Sequence, residues 1–480
     1  MGSAPVLWDR MKAVAIQIVG RLRAAGHVAY FAGGCVRDLL RGVAAHDFDI
    51  ATSATPAEVQ RLFSKTIPVG AAFGVVLVLE GGGQFEVATF RSDAAYLDGR
   101  HPSAVRFGSP EEDAQRRDFT VNGLFLDPVT DQILDYVGGR ADIDRRVIRC
   151  IGEPRHRFAE DKLRLLRCVR FASNLQFTID PATDAAVREM AGQIQGVSAE
   201  RIRDELIKIF TRPHAGQGLA LLAETGLLRE VLPEVAALQG VEQPAEFHPE
   251  GDVFTHTRMM LDLLSDSLAG RADPARREEP ATSAARSESA PSLDPVILAF
   301  AVLLHDVGKP PTFVRAPDRI RFNDHDIVGQ ALAEQILRRL RFSNEQIEQI
   351  ALCVGGHMRF QHVQSMRPAK LKRLLARPTF SVEMELHRID CRASHGKLDN
   401  YVFLKTKAVE LPAEVIRPVP LVTGHDLLAV GFTPGRLLGA VLNEVAELQL
   451  EDQLQSQAAA LDYARQRLAG AAAATTETNE

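Results

Sequence analysis

Apolar positions recur along the chain with two different periods, and the change of period divides it. An amphipathic spacing from Val14 to Ala25 predicts a helix, and Val28 to Phe31 predicts a short strand ending at Gly33-Gly34. A second helix starts at Cys35-Val36-Arg37-Asp38, a second strand spans Phe48 to Ala51, and Pro56 to Phe63 reads as a helix with Pro in its first turn. Val75–Leu79 and Phe85–Phe90 read as strands paired across Gly81-Gly82-Gly83. From Phe158 the strand signal fades, and helical spacing runs through Asp161–Asn174, Asp184–Met190, Ala199–Phe210 and Gln217–Thr225. The pattern predicts an α/β head over 1–150 followed by all-α regions over 151–215, 216–250, 251–400 and 401–468.

Composition adds two breaks. Residues 270–292, GRADPARREEPATSAARSESAPS, have almost no large apolar side chains and read as a disordered insertion between helices. The low-complexity end, 469–480, is expected to be disordered as well. The five Cys (35, 150, 168, 353, 391) are scattered, which fits a reduced interior. MGSAPVLWDR lacks the apolar core of an export signal and no run is long enough to span a membrane, so the expected location is cytoplasmic. With 56 basic against 62 acidic residues the net charge is −6, which excludes a cationic field over the whole molecule. Any nucleic-acid contact must use a local basic surface.

The most informative segment is Phe31-Ala-Gly-Gly-Cys-Val-Arg-Asp, followed by His46-Asp-Phe-Asp-Ile-Ala-Thr. Gly33 and Gly34, between strand and helix, let backbone approach a phosphate, and Arg37 adds a bidentate donor one turn later. Asp47 and Asp49, two apart on a strand, project from one face and suit Mg²⁺, a hard cation shared with substrate phosphates. Downstream, Asp161, Arg164, Arg167 and Arg170 are spaced by three along a predicted helix. One acid among three arginines makes a poor solvated face and a good nucleotide clamp.

GGCVRDLL with DFDIAT resembles the head of the DNA polymerase β-like nucleotidyltransferase superfamily, and more closely the class II tRNA nucleotidyltransferases (CCA-adding enzymes) and their bacterial poly(A) polymerase relatives. The resemblance continues through Phe85-Glu-Val-Ala-Thr-Phe-Arg-Ser-Asp, the loop Tyr96-Leu-Asp-Gly-Arg-His-Pro, Arg116-Arg-Asp-Phe-Thr-Val-Asn and Glu160-Asp-Lys-Leu-Arg. Glu86, on a strand with Ala88 and Phe90 on the same face, is either a third carboxylate beside Asp47 and Asp49 or a solvated edge residue, and the resemblance implies nucleotide contacts from Arg117, Asp118 and Asn122. It makes 151–215 a helical neck in which Asp161 and Arg164 read the Watson–Crick edge of the incoming base, with Arg167 and Arg170 supporting them. A carboxylate accepts from the exocyclic amine that C and A carry. Asp93, Asp98 and Arg100 in the loop 91–105 favour an enzyme that also adds the terminal A.

The second half carries His256, His305-Asp306-Val-Gly-Lys309, His325, His357 and Asp390. Imidazoles and carboxylates in this order suit one or two divalent transition ions, with Lys309 placed for phosphate charge. The order resembles the HD-superfamily metal-dependent phosphohydrolases, which makes 251–400 an HD domain. The resemblance implies hydrolysis of a 2′-phosphate or 2′,3′-cyclic phosphate; a vestigial site that only stabilises the fold is the rival reading.

Together these readings predict addition of CMP, CMP and AMP to a tRNA 3′ end from CTP and ATP, with Mg²⁺ at the head and a divalent transition metal at the HD site. The partners are the tRNA acceptor arm, ATP and CTP, with no membrane and a homodimer as the assembly to test. Rival readings are an A-adding or poly(A) enzyme, and a phosphohydrolase whose head only binds RNA. Two basic clusters offer themselves to RNA: Arg140, Arg145, Arg146, Arg149, Arg155, Arg157 and Lys162, favoured because it adjoins the neck, and Arg338, Arg339, Arg341, Arg367, Lys370, Lys372 and Arg373.

Overall fold

The computed structural model describes residues 4–45, 47–70, 74–93, 105–268 and 293–477. They form two compact units, 1–239 with 336–342, and 240–335 with 343–480.

The first unit opens with the helix Ala4–Ala24 and builds its strands as β1 Ala29–Ala32, β2 Ile50–Thr52, β3 Thr66–Gly70, β4 Val75–Glu80, β5 Gly83–Thr89, β6 Arg91–Asp93, β7 Val105–Phe107, β8 Leu124–Leu126 and β9 Ile133–Asp135. Seven of them make one sheet in the order β3-β4-β5-β2-β1-β8-β9, while β6 and β7 pair separately. Strands β2 and β5 run parallel, with Ile50 opposite Val87, and the β4–β5 hairpin is antiparallel. Its turn places Gly81 and Gly82 at φ of 57° and 80°, the left-handed backbone that glycine adopts without strain. Alternation sorts β5: Phe85, Val87 and Thr89 are buried, and Gln84 and Glu86 are exposed on the other face. Local chemistry fixes the short helices. Thr55 with Glu58, and Ser109 with Glu112, form capping boxes at Pro56–Leu62 and Pro110–Gln115.

Three expectations change. Strand β2 begins at Ile50, so Asp47 and Asp49 lie in the irregular segment just before it; the Asp49 carbonyl still accepts the Ala32 N–H at 2.9 Å. The helix expected over 161–174 starts later, as Arg164–Leu175, because Asp161 adopts an extended conformation (φ −143°, ψ 105°) that separates it from a preceding helix, Pro154–Glu160. The end of the chain, expected to be disordered from 469, continues the helix Gln457–Glu477, in keeping with the high helix propensity of its alanine run. The insertion 270–292 lies outside the described residues.

In the second unit, the helix Pro295–Leu304 is apolar along its length, and every residue from Ile297 to Leu304 is buried. Asp294 caps it by accepting from the Val296 and Ile297 amides. The helix delivers His305-Asp306 into the core, where the turn after it presses against the start of the helix His325–Arg339. A Cβ at Gly308 would stand 2.0 Å from the His325 carbonyl oxygen and 2.7 Å from the Gly329 nitrogen, so only glycine permits the approach. Gly308→Ala is therefore expected to destabilise the second unit by about 3 kcal/mol, the upper end of overpacking costs. Chemical denaturation of the full chain reads this out, and an unchanged midpoint would show that the two backbones can separate freely.

Candidate functional site

A cavity of about 420 Å³ in the first unit is lined by Gly33, Gly34, Arg37, Asp49, Arg116, Arg117, Asp118, Asn122, Asp161, Arg164, Arg167 and Phe171. Most of the residues that the sequence singled out in the N-terminal half therefore meet in one place. Gly33 takes φ 70°, and a Cβ there would lie 3.0 Å from Arg117 Nη1, so the glycine permits a close approach of that guanidinium. Its own N–H donates to the Leu124 carbonyl, which removes one of the two backbone donors expected for phosphate.

Asp47 is exposed, Phe48 between the two aspartates is buried, and Asp49 is partly buried. The β2–β5 register carries Asp49 beside Glu86 on the exposed face of β5. Burial, with the nearby charges of Glu86 and Asp47, pushes the Asp49 carboxyl up to about 6 against the opposing pull of Arg117. A cluster of carboxylates that resists ionisation fits a bound cation.

Every arginine lining the cavity pairs with a carboxylate. Arg37 donates to Asp38 at 2.9 and 3.0 Å and to Asn122 Oδ1 at 2.8 Å. Arg116 and Arg117 share Asp113, whose carboxyl is buried yet held below its usual range by the two guanidinium groups. Arg167 donates to Asp118 at 2.7 Å. Burial alone would raise Asp118; Arg167 and the Asn122 side chain instead hold it at about 2. The expected stripe of self-repelling charge is accordingly corrected. Arg164 donates to Glu160 at 2.7 Å and to the Arg157 carbonyl at 2.9 Å; Arg170 pairs with buried Glu205 at 2.7 Å and does not line the cavity. Asp161 accepts from Arg201 at 2.9 and 3.1 Å. Phe171, unmarked in the sequence reading, lines the cavity under the guanidinium groups of Arg37, Arg167 and Arg170 at 5.7, 5.2 and 4.2 Å. Asp98 and Arg100 lie outside the described residues, as does the side chain of Asp93.

In the second unit all six expected ligands converge. Ligand atoms of His256, His305 and Asp390 lie within 4.8 Å of one another, as do those of Asp306, His325 and His357. Three of the histidines are oriented in the same way. The Nδ1–H of His305, His325 and His357 donates to the carbonyl three residues earlier, at 2.9, 2.8 and 2.6 Å. Since a carbonyl only accepts, each Nε2 is left as a lone pair facing the cluster. His325 Nε2 and His357 Nε2 are 3.1 Å apart, and burial with the charge of His305 pulls His357 down to about 4. Two imidazole nitrogens at that distance can serve as neighbouring ligands of one cation. His256 Nε2 lies 3.1 Å from Asp390 Oδ1 and His305 Nε2 3.0 Å from Asp306 Oδ2, so buried imidazole and carboxylate groups converge in a donor set that fits a divalent metal.

The sequence reading missed Glu250, which accepts from His256 Nδ1 at 2.6 Å and His248 Nδ1 at 2.8 Å, and Gln243, which accepts from Lys309 Nζ at 2.6 Å. Both sit in an irregular segment where periodicity carries no signal; only their closeness to the histidine motif could have marked them. In the basic cluster near the neck, Arg149 pairs with Asp142, Arg155 with Glu189 and Arg157 with Glu160.

Residues 29–149 match the family described as "Poly A polymerase head domain", 176–238 match "Probable RNA and SrmB- binding site of polymerase A", and 253–390 match "HD domain". The chain is 31% identical over 463 residues to the CCA-adding enzyme of Enterococcus faecalis, covering 94% of this chain and 95% of that one. With the CCA-adding enzyme of Lactobacillus gasseri it shares 43% identity over 218 residues, 45% of this chain and 54% of that one, so here the chain spans about half the length of its relative. Among solved structures, the Bacillus stearothermophilus CCA-adding enzyme in complex with CTP superimposes with a TM-score of 0.69 at 28% identity, over 95% of this chain and 98% of that one.

The ion pair of Asp118 with Arg167 has a measurable signature. A carboxyl lowered from 3.8 to about 2 stabilises the fold above pH 4, and the contribution is lost as pH falls through about 2. Asp118→Asn is expected to cost about 2 kcal/mol at pH 7, less than a fully buried pair because Arg167 is partly exposed. The variant's stability should then fall less steeply than the wild type's between pH 4 and 2. Parallel urea titrations of the two across that range would expose a pair that contributes nothing.

Proposed function

The chain belongs to the family of CCA-adding enzymes, and from that premise we propose that it adds CMP, CMP and AMP to the 3′ end of tRNA, taking them from CTP and ATP and releasing pyrophosphate. The observation that carries this reading is the meeting of Asp49, Arg37, Arg117, Asp161, Arg164 and Phe171 on one cavity large enough for a nucleotide. Arg37 and Arg117 hold the triphosphate, their planar forks already oriented by Asn122 and Asp113. Phe171 offers a stacking face for the base. Asp161, aimed by Arg201, accepts the exocyclic amine of cytosine or adenine; uracil and guanine present a carbonyl there and leave the carboxylate unpaired. Arg164, fixed by Glu160, donates to the ring acceptor next to that amine. Asp47 and Asp49, with Glu86 beside them, would hold Mg²⁺, which supplies Lewis-acid charge at the reacting phosphate. The incoming 3′-hydroxyl attacks the α-phosphorus, the bond to the β-phosphate oxygen breaks, and pyrophosphate leaves.

Extension of tRNAs ending before CCA, after C and after CC, with CTP alone, ATP alone and both, tests the reading at single-nucleotide resolution. Completion of all three to CCA and no further is expected. Addition of one A to the CC-ended substrate alone identifies an A-adding enzyme, and a long A ladder a poly(A) polymerase. Asp49→Ala is expected to reduce extension by about 10³-fold or more, and Asp161→Ala to admit UTP.

A second reading rests on the buried histidine cluster. We infer that it holds a divalent transition metal and hydrolyses a phosphate ester at an RNA end, the metal supplying an activated water when bound. Lys309, held by Asp306 at 2.8 Å and Gln243 at 2.6 Å, places a cation beside the cluster for the substrate phosphate. Removal of metal with EDTA is expected to lower the thermal midpoint, and Mn²⁺, Co²⁺ or Ni²⁺ to restore it. His305→Ala should abolish both that response and release of phosphate from 2′-phosphorylated or 2′,3′-cyclic RNA ends. A response without hydrolysis would identify a purely structural metal.

A further inference from the structure

A second cavity, of about 230 Å³, lies within the second unit and is lined by Arg359, Met366, Lys370, Arg373, Leu374 and Arg377. Its charged lining is cationic throughout. Lys370, Arg373 and Arg377 follow one another at spacings of three and four, so the helix Pro368–Leu375 and the turn after it present them on one side. Arg359 comes from the turn His357–Ser365, and Met366 and Leu374 supply apolar surface. Lys372 faces elsewhere: its Nζ donates to the Leu450 carbonyl at 2.8 Å and to Asp452 at 3.0 Å, a structural tie.

Four like charges around one cavity repel, and an apolar floor strengthens the repulsion by lowering the local dielectric. The chain offsets only part of it. Arg377 Nε donates to buried Glu383 at 2.8 Å, and Arg373 pairs with Glu447. Among the described residues no carboxylate pairs with Arg359 or Lys370. The buried Arg377 Nη2 also lacks a hydrogen-bond partner. An arginine nitrogen left without an acceptor, beside two uncompensated cations, marks the place of an anion with oxygen acceptors. The cavity is smaller than the roughly 300–1,000 Å³ of sites that enclose a whole small ligand. It suits one phosphate group of a longer chain.

We propose that this cavity is a phosphate-binding site for the RNA backbone, formed by Arg359, Lys370, Arg373 and Arg377 and separate from the nucleotide cavity. The identity of the ligand as RNA rests on tRNA being the substrate; the phosphate chemistry does not. The site is expected to read charge and shape rather than sequence, because a contact to backbone phosphate oxygens carries no base identity.

The test uses the full chain with Arg359→Ala/Lys370→Ala, both exposed and outside the nucleotide cavity, and with the charge-preserving Arg359→Lys/Lys370→Arg. Binding of tRNA, followed by fluorescence anisotropy across a salt series, is expected to weaken about tenfold near physiological salt in the alanine variant. The slope of log affinity against log salt should become shallower by about 1. The charge-preserving variant should bind like the wild type, and KM for CTP should be unchanged in both. Unchanged affinity and slope in the alanine variant overturn the proposal. Isothermal titration with inorganic phosphate separates the sources: saturable phosphate binding lost in a variant that still binds tRNA normally identifies a free-anion site and overturns the RNA assignment. A wild-type protein that binds no tRNA overturns the substrate reading itself, and the RNA ligand with it.

Discussion

A single chain of hydrogen bonds sets the geometry of the nucleotide cavity. Arg167, on the neck helix, donates to Asp118; Asp118 accepts from the Asn122 side chain; and Asn122 accepts from Arg37, on the helix that follows the glycine turn. Three segments distant in sequence are thereby locked to one another by groups that are largely withdrawn from water. In such surroundings an unmade hydrogen bond costs more than a made one returns, so the chain is held as a unit or not at all. The distance between the glycine-turn side of the cavity and its neck side is a consequence of that lock.

The same logic explains why so many arginines coexist there. Asp38, Asp113, Asp118, Glu160 and Glu205 each hold one or two guanidinium groups, and Asp161 is held in turn by Arg201. These pairs fix planar forks in direction. A lysine could neutralise the same acids, but its rotatable ammonium would not define a direction.

What the sequence disclosed and what it hid divide along the range of the interaction. The glycine turn, the paired aspartates, the β4–β5 hairpin and the apolar helix before His305 are local patterns, readable because sterics and periodicity act over a few residues. The break at Asp161 was hidden, because a turn between two helices preserved the spacing of three to Arg164 and mimicked one continuous face. The partners of the arginines were hidden too. Glu205 and Arg201 reach Arg170 and Asp161 from a later helix, and periodicity says nothing about which faces meet. Glu250 and Gln243 lie in a segment with no regular period, and Lys372 was indistinguishable from Lys370 until Asp452 was seen to take it.

The two candidate metal sites illustrate two ways of preparing ligands. In the second unit, three histidines are tied through Nδ1 to carbonyls of their own turns, and the fourth to Glu250. Their orientation is thus written into the backbone, and it persists whatever occupies the cluster. In the head, Asp47 and Asp49 stand on irregular backbone ahead of β2, and Asp47 is open to solvent. On the reading proposed above, the second unit keeps one metal in place, and ligands fixed by their own backbone turns suit that task. The stiffness of that set follows from the backbone that carries it, which is why the histidines belong at helix ends.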